Sequence, residues 1–122
     1  MNAAIAVAIG GALGSLARYA LGLWARGYAT VFPLATLMVN VLGGFVMGLL
    51  AALMAARPEF PPWLRAGLMT GVLGGFTTFS AFSLETLTLW REGAAGVALV
   101  NVAANVALSL AACALGFAMV SK

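Results

Sequence analysis

Four long apolar runs, separated by short polar connections, set the pattern of this sequence. A helix needs about 20 apolar residues to cross the hydrocarbon core of a bilayer. The pattern therefore predicts an all-α membrane protein with a single four-helix transmembrane domain over residues 1–122. The predicted spans cover about residues 3–24, 32–56, 65–90 and 93–120.

The third apolar run is interrupted near its middle. Residues 71–83 read Gly-Val-Leu-Gly-Gly-Phe-Thr-Thr-Phe-Ser-Ala-Phe-Ser, a glycine pair followed by a group of hydroxyl side chains. In hydrocarbon an unpaired backbone N–H or C=O costs several kcal/mol, so irregular backbone is tolerated only where it lines a cavity or is buried in protein. We predict that the third helix is broken in mid-membrane and that the break is the functional centre.

Composition agrees with a membrane protein and excludes several kinds of chemistry. Apolar residues make up 64% of the chain and charged residues 7%, against about 45–50% and about 25% in soluble domains. With no histidine and one cysteine, His-ligated metal sites, Ser-His triads and an intrachain disulfide are excluded. The six basic residues are scattered singly, which does not indicate nucleic-acid binding. The first run lacks a basic leading segment and contains Arg18, so we do not expect a cleaved signal peptide.

The distribution of basic residues gives almost no preferred orientation. Four spans place Arg57, Arg65 and Lys122 on one side and Arg26 and Arg91 on the other. This difference is a very weak bias under the positive-inside rule. Either the chain inserts both ways and pairs as an antiparallel dimer, with a two-fold axis in the membrane plane, or one orientation dominates.

Small and polar residues recur every four positions on three of the spans. Such rows allow close helix packing in lipid, and their polar members need partners or water. The rows are Gly10, Gly14, Arg18 and Gly22 in the first span, Thr36, Asn40, Gly44 and Gly48 in the second, and Asn101, Asn105, Ser109 and Cys113 in the fourth. We interpret the fourth row as a water- or ion-lined path, with interhelical hydrogen bonding as the alternative. Arg18 is either an interface anchor or a vestibule charge.

Two phenylalanines lie among the hydroxyl-bearing side chains of the third span. Phe79 and Phe82 are three residues apart and so share one face of a helix. A phenyl ring has a positive edge that can receive an anion, whereas backbone carbonyls released at a break suit a small hard cation. The segment could thus serve ions of both signs.

Three segments closely resemble the CrcB, or Fluc, family of fluoride channels. They are residues 10–19 (GGALGSLARY), residues 33–43 (PLATLMVNVLG) and residues 74–83 (GGFTTFSAFS). The resemblance implies an antiparallel, dual-topology homodimer in the plasma membrane of a prokaryotic cell (the cell inner membrane). Its function would be passive, fluoride-selective export from the cytoplasm, which relieves fluoride toxicity.

The resemblance also implies roles for individual residues. Phe79 and Phe82 would form an aromatic box with Asn40 at the pore. A polar track would be lined by Ser80, Ser83 and Ser109. A structural sodium ion would lie at the centre of the dimer, held by the backbone carbonyls of Gly74 and Thr77 from both copies. In this sequence Cys113 stands where relatives can carry a hydroxyl and Asn101 where some carry a tyrosine, so the contribution of the fourth span is open.

Two other classes of function are considered. A proton-coupled exporter of the small multidrug-resistance type needs an intramembrane carboxylate, for which Glu85 is the candidate. A non-transporting assembly subunit is the second alternative. We do not expect an enzyme, because the spans offer no paired acid and base.

Overall fold

Four helices that are long and apolar enough to cross a membrane make up the computed structural model, which describes residues 1–28 and 30–121. They are α1 (Ala3–Ala25), α2 (Leu34–Ala56), α3 (Pro62–Arg91) and α4 (Ala95–Val120). The all-α, four-span prediction is confirmed. The largest difference from the predicted spans is at the start of α3, where Pro62 occupies a first-turn position that proline favours. Lys122, one of the basic residues counted for orientation, lies outside the described residues.

Helix α3 is interrupted, as predicted, and within residues 71–83 the interruption lies at the threonine pair, while the glycine pair before it is helical. Its first half (residues 62–76) includes a π-helical segment, Ala66–Leu73, and its second half is Phe79–Arg91. Between them Thr77 (φ −80°, ψ 159°) and Thr78 (φ −152°, ψ 123°) are extended. Gly74 is helical (φ −63°, ψ −37°), since glycine permits a break without requiring one. We call Thr77 and Thr78 the break.

Glycines let the helices pack in two close pairs. In the first pair, α1 lies against the first half of α3, and a Cβ added at Gly14 would collide with the Val72 carbonyl oxygen. In the second pair, α2 lies against α4, and a Cβ at Gly44 would be 2.9 Å from the Ser109 carbonyl oxygen. A Cβ added at Gly22 would meet no atom of the described residues within 4 Å. The small-residue rows therefore join helices as predicted, except at Gly22.

The second half of α3 packs on α4 and begins at a capped end. The Thr78 Oγ1 accepts a hydrogen bond from the Ala81 N–H at 3.1 Å, the usual way for an N-cap threonine to satisfy a free helix donor. This half ends at Arg91, and Gly93 follows two residues later with a φ of 82°, which glycine adopts easily. The break therefore lies where α2 and α4 meet the second half of α3.

Candidate functional site

A cavity of about 410 Å³ lies beside the break, between α2, α3 and α4. It brings together four of the predicted pore residues, Asn40, Phe79, Phe82 and Ser109. None of the side chains that line it is ionisable. The cavity wall therefore carries no fixed charge.

The side chain of Asn40 completes the hydrogen bonding of the broken backbone. Its Nδ2 donates to the Thr78 carbonyl at 3.0 Å, and the Thr78 N–H donates to its Oδ1 at 2.9 Å. Asn40 thus takes the place of the helical acceptor that the Thr78 N–H has lost, and it adds a second donor to the carbonyl of this N-cap residue. The same Nδ2 also donates to Asn105 Oδ1 at 2.9 Å, so both amide hydrogens of Asn40 are bound inside the protein.

Helix α1 contacts the break through Arg18. The Arg18 Nη1 donates to the Thr77 carbonyl at 3.3 Å, while the Thr77 Oγ1 donates to the Leu73 carbonyl at 2.9 Å. Arg18 also borders a second cavity of about 310 Å³ together with Thr36 and Glu85. It therefore combines a contact to the broken backbone with a place on the wall of this second cavity, and its role as an interface anchor or a vestibule charge stays a prediction.

The two phenyl rings form a tilted pair with very different exposure. Their centroids are 5.3 Å apart and their planes are inclined by 60°, an arrangement that turns the edge of one ring toward the face of the other. Phe82 is 7% exposed and Phe79 is 76% exposed. Within one chain, Phe82 is therefore part of the packed core, and Phe79 projects from it.

The three serines predicted to line a polar track differ in position. The Ser109 hydroxyl is buried, borders the cavity and has no hydrogen-bond partner among residues 1–28 and 30–121. Ser83 is exposed and its Oγ donates to the Phe79 carbonyl at 2.8 Å. Ser80 is exposed, with its Oγ 3.4 Å from the Thr78 Oγ1. One chain brings Ser109 to the cavity and leaves Ser80 and Ser83 outside it, so their role in a track stays a prediction.

Two asparagines of α4 are buried, and Asn105 also borders the cavity. Asn101 is 0% exposed and Asn105 is 5% exposed, and the Asn105 Nδ2 donates to the Asn101 Oδ1 at 2.9 Å. Asn101 Nδ2 donates to the hydroxyl of Thr86 at 2.9 Å, a residue that the sequence gave no reason to select. Both asparagines thus make the hydrogen bonds between helices that were the alternative to a path.

The break changes the hydrogen bonding of two main-chain oxygens, the Gly74 and Thr77 carbonyls. In an uninterrupted helix the Thr78 N–H would donate to the Gly74 carbonyl, but here it donates to Asn40. The Thr77 carbonyl accepts the long contact from the Arg18 Nη1 described above. Carbonyl oxygens are ligands that small hard cations accept.

Comparison with known proteins identifies the family. The family described as CrcB-like protein, Camphor Resistance (CrcB), matches residues 5–117. A protein of Paracoccus denitrificans named fluoride-specific ion channel FluC is 55% identical over 106 residues, 87% of this chain and 84% of that one. A protein with the same name from Bordetella petrii is 48% identical, over 93% of this chain and 88% of its own length. Another from Rhizobium johnstonii is 49% identical, over 98% of this chain and 96% of its own length. This chain, a multi-pass membrane protein by its four helices, therefore belongs to the CrcB family.

Proposed function

We propose that this protein is a fluoride-specific ion channel in the inner (plasma) membrane of a prokaryotic cell. It conducts fluoride passively out of the cytoplasm and relieves fluoride toxicity. The names of its relatives and the match over nearly the whole chain support this function. It is an ion channel and not an enzyme.

The chemistry of the cavity wall is the observation that carries the proposal. Fluoride is small and strongly hydrated, so a pore has to replace its water with several donors at once. The Ser109 hydroxyl is a buried donor that no protein group uses among the described residues, and the Phe79 and Phe82 rings offer positive edges. A buried Lys or Arg on this wall would hold the ion too tightly, and the wall has none.

The break also supports an antiparallel homodimer. Gly74 and Phe79 are exposed in one chain, and the Gly74 carbonyl has lost its normal helical donor to Asn40. Lipid cannot satisfy such a carbonyl, so a second copy covers this face. The nearly even distribution of basic residues favours opposite orientations for the two copies, and a two-fold axis in the membrane plane makes the interface self-complementary. Ser80 and Ser83 then line the track at this interface.

A structural sodium ion fits the same arrangement. The Gly74 and Thr77 carbonyls of two copies would supply four main-chain oxygens, and the ion would neutralise oxygens that otherwise face one another. Arg18 would remain at the edge of this site through its contact with Thr77, and it would add a positive charge to the vestibule.

The proton-coupled exporter is not favoured. The three relatives described above are named ion channels. Glu85 Oε1 accepts a hydrogen bond from the Thr36 Oγ1 at 2.7 Å, while its buried Oε2 has no hydrogen-bond partner among the described residues.

Fluoride efflux from proteoliposomes tests the proposed function, with chloride as the control ion. We expect fluoride flux far above chloride flux, and a lower fluoride flux in Ser109→Ala. Leu108→Ala, an exposed position next to it on α4, serves as the control for a simple truncation. Equal fluxes of the two ions would rule out a fluoride-specific channel.

A further inference from the structure

Four polar side chains form a continuous hydrogen-bond chain inside the protein, which we call the amide chain. Asn40 Nδ2 donates to Asn105 Oδ1, Asn105 Nδ2 to Asn101 Oδ1, and Asn101 Nδ2 to Thr86 Oγ1, each at 2.9 Å. Thr86 Oγ1 then donates to the Phe82 carbonyl at 2.8 Å. The amide chain joins α2, α4 and the second half of α3.

Backbone groups fix the direction in which every member donates. A main-chain N–H can only donate and a C=O can only accept, so the two bonds to Thr78 leave one orientation for the Asn40 amide. The Asn101 carbonyl, which accepts from Asn105 Nδ2 at 3.0 Å, orients Asn105 in the same way. The Phe82 carbonyl orients the Thr86 hydroxyl at the other end. Turning over any one amide would place two donors or two acceptors against each other.

The amide chain begins and ends on the same half of α3. Thr78 caps that half, and Phe82 lies one turn further along it. The start of the half is therefore braced from two sides, by α2 through Asn40 and by α4 through Asn101. Because a fully satisfied polar network rigidifies its surroundings, the brace sets where the Phe82 ring stands in the cavity.

We propose that Asn101 and Asn105 are positioning residues for conduction and do not touch the ion. They hold the Asn40 amide in the orientation that closes the break at Thr78. Asn101 is fully buried, and although Asn105 borders the cavity, its Nδ2 is committed to the Asn101 carbonyl and side chain. This inference rests on the proposed function.

The test combines fluoride efflux with hydrogen exchange at the Thr78 amide in reconstituted protein. Asn101→Leu replaces the central amide of the amide chain by an apolar side chain of similar size. We expect fluoride flux to fall about tenfold and hydrogen exchange of the Thr78 N–H to rise about tenfold. Loss of one buried hydrogen bond changes the population of the open state by about this factor. Exchange in the rest of α2 and α4 should not change.

Three substitutions in the second half of α3 keep the test decisive if the Asn101→Leu variant does not fold. Thr86→Val removes the last hydroxyl of the amide chain with little change in shape, and Thr86→Ser returns it. Thr88→Val makes the same change at an exposed position of α3 that is not part of the amide chain. We expect lower flux and faster Thr78 exchange in Thr86→Val, recovery of both in Thr86→Ser, and no effect of Thr88→Val.

The two readouts separate positioning from its alternatives. Lower flux with unchanged Thr78 exchange would overturn the proposal, since it would mean that the asparagines contact the ion. Unchanged flux with faster exchange would also overturn it, because the brace would then be structural only. A wild-type protein that carries no fluoride would refute the proposed function, and the exchange measurements would still test whether Asn101 braces the break.

Discussion

The backbone of Gly75 lies so close to α1 that a Cβ added there would be 2.6 Å from the Gly11 carbonyl oxygen. Helix backbone cannot move away cheaply, so Gly75→Ala should lower the free energy of unfolding by about 1–3 kcal/mol, the usual cost of overpacking. Gly96→Ala is the matched control, because a Cβ at Gly96 would meet no atom of residues 1–28 and 30–121 within 4 Å. Unfolding in detergent measures both variants, and equal stabilities would show that α1 and α3 are less closely packed than described.

The neighbouring Gly74 allows a test of what covers the break from outside. Within one chain the nearest atom to a Cβ at Gly74 is the Met69 carbonyl oxygen, at an ordinary 3.9 Å. Gly74→Ala should therefore leave the helices of one chain intact, and even favour them by about 1 kcal/mol through helix propensity. In the proposed dimer the added methyl lies at the interface. We expect a larger monomer fraction by gel filtration and lower fluoride flux; a fully dimeric, fully active Gly74→Ala would argue against a second copy at this face.

The proposed sodium site depends on main-chain oxygens, so side-chain changes at Thr77 should affect it little. Thr77→Ser keeps the hydroxyl that bonds to the Leu73 carbonyl and should retain the cation and most of the flux. Thr77→Val removes that bond and should lower stability by about 1 kcal/mol. Anomalous scattering from crystals grown with a heavier monovalent cation in place of sodium measures occupancy. If no anomalous peak appears between the Gly74 and Thr77 carbonyls, the proposed sodium site is wrong.

The helices were predictable from sequence because lipid imposes a simple requirement of length and apolar composition. The position of the break was less so. The glycine pair at 74–75 signals permissive backbone, yet both residues are helical, and the helix ends because the Thr78 N–H bonds to Asn40 on another helix. The local sequence pattern does not reveal a contact between residues that are 38 positions apart.

The site was predictable in its residue types and less in their arrangement. The spacing of four placed Asn101, Asn105 and Ser109 on one face of α4 correctly, but spacing does not reveal which of them have partners. In the part of the chain that the structure describes, the Ser109 hydroxyl at the cavity has no hydrogen-bond partner, whereas the asparagines bond to each other. Thr86 carried no signal of its own, because its role follows from where α4 lies.

Dual topology predicts that activity depends on orientation. Pro58→Arg with Glu59→Arg adds two positive charges at exposed positions between α2 and α3 and should fix one orientation under the positive-inside rule. We expect loss of fluoride flux from this variant alone and recovery on co-expression with an oppositely biased copy carrying Thr30→Arg and Glu92→Arg. Pro58→Gln with Glu59→Gln, which adds no positive charge, is the control. Full activity of the biased variant alone would refute antiparallel assembly.

Phe79 offers the clearest separation of conduction from packing, because its ring is 76% exposed in one chain. An exposed side chain contributes little to the core, so Phe79→Ile should not destabilise the fold of one chain. Phe82 is 7% exposed, and Phe82→Leu should cost about 1.5 kcal/mol or less as a swap near constant volume. An aliphatic side chain has no positive edge to replace the water that fluoride loses.

We therefore expect fluoride flux to fall by orders of magnitude in both variants, and more in Phe79→Ile, while gel filtration shows an unchanged dimer. Leu84→Ile, at another exposed position of the same half-helix, controls for a change of aliphatic shape at the protein surface. Near-normal flux in both phenylalanine variants would mean that the rings only pack, and would leave Ser109 and the neighbouring hydroxyls as the path of the ion.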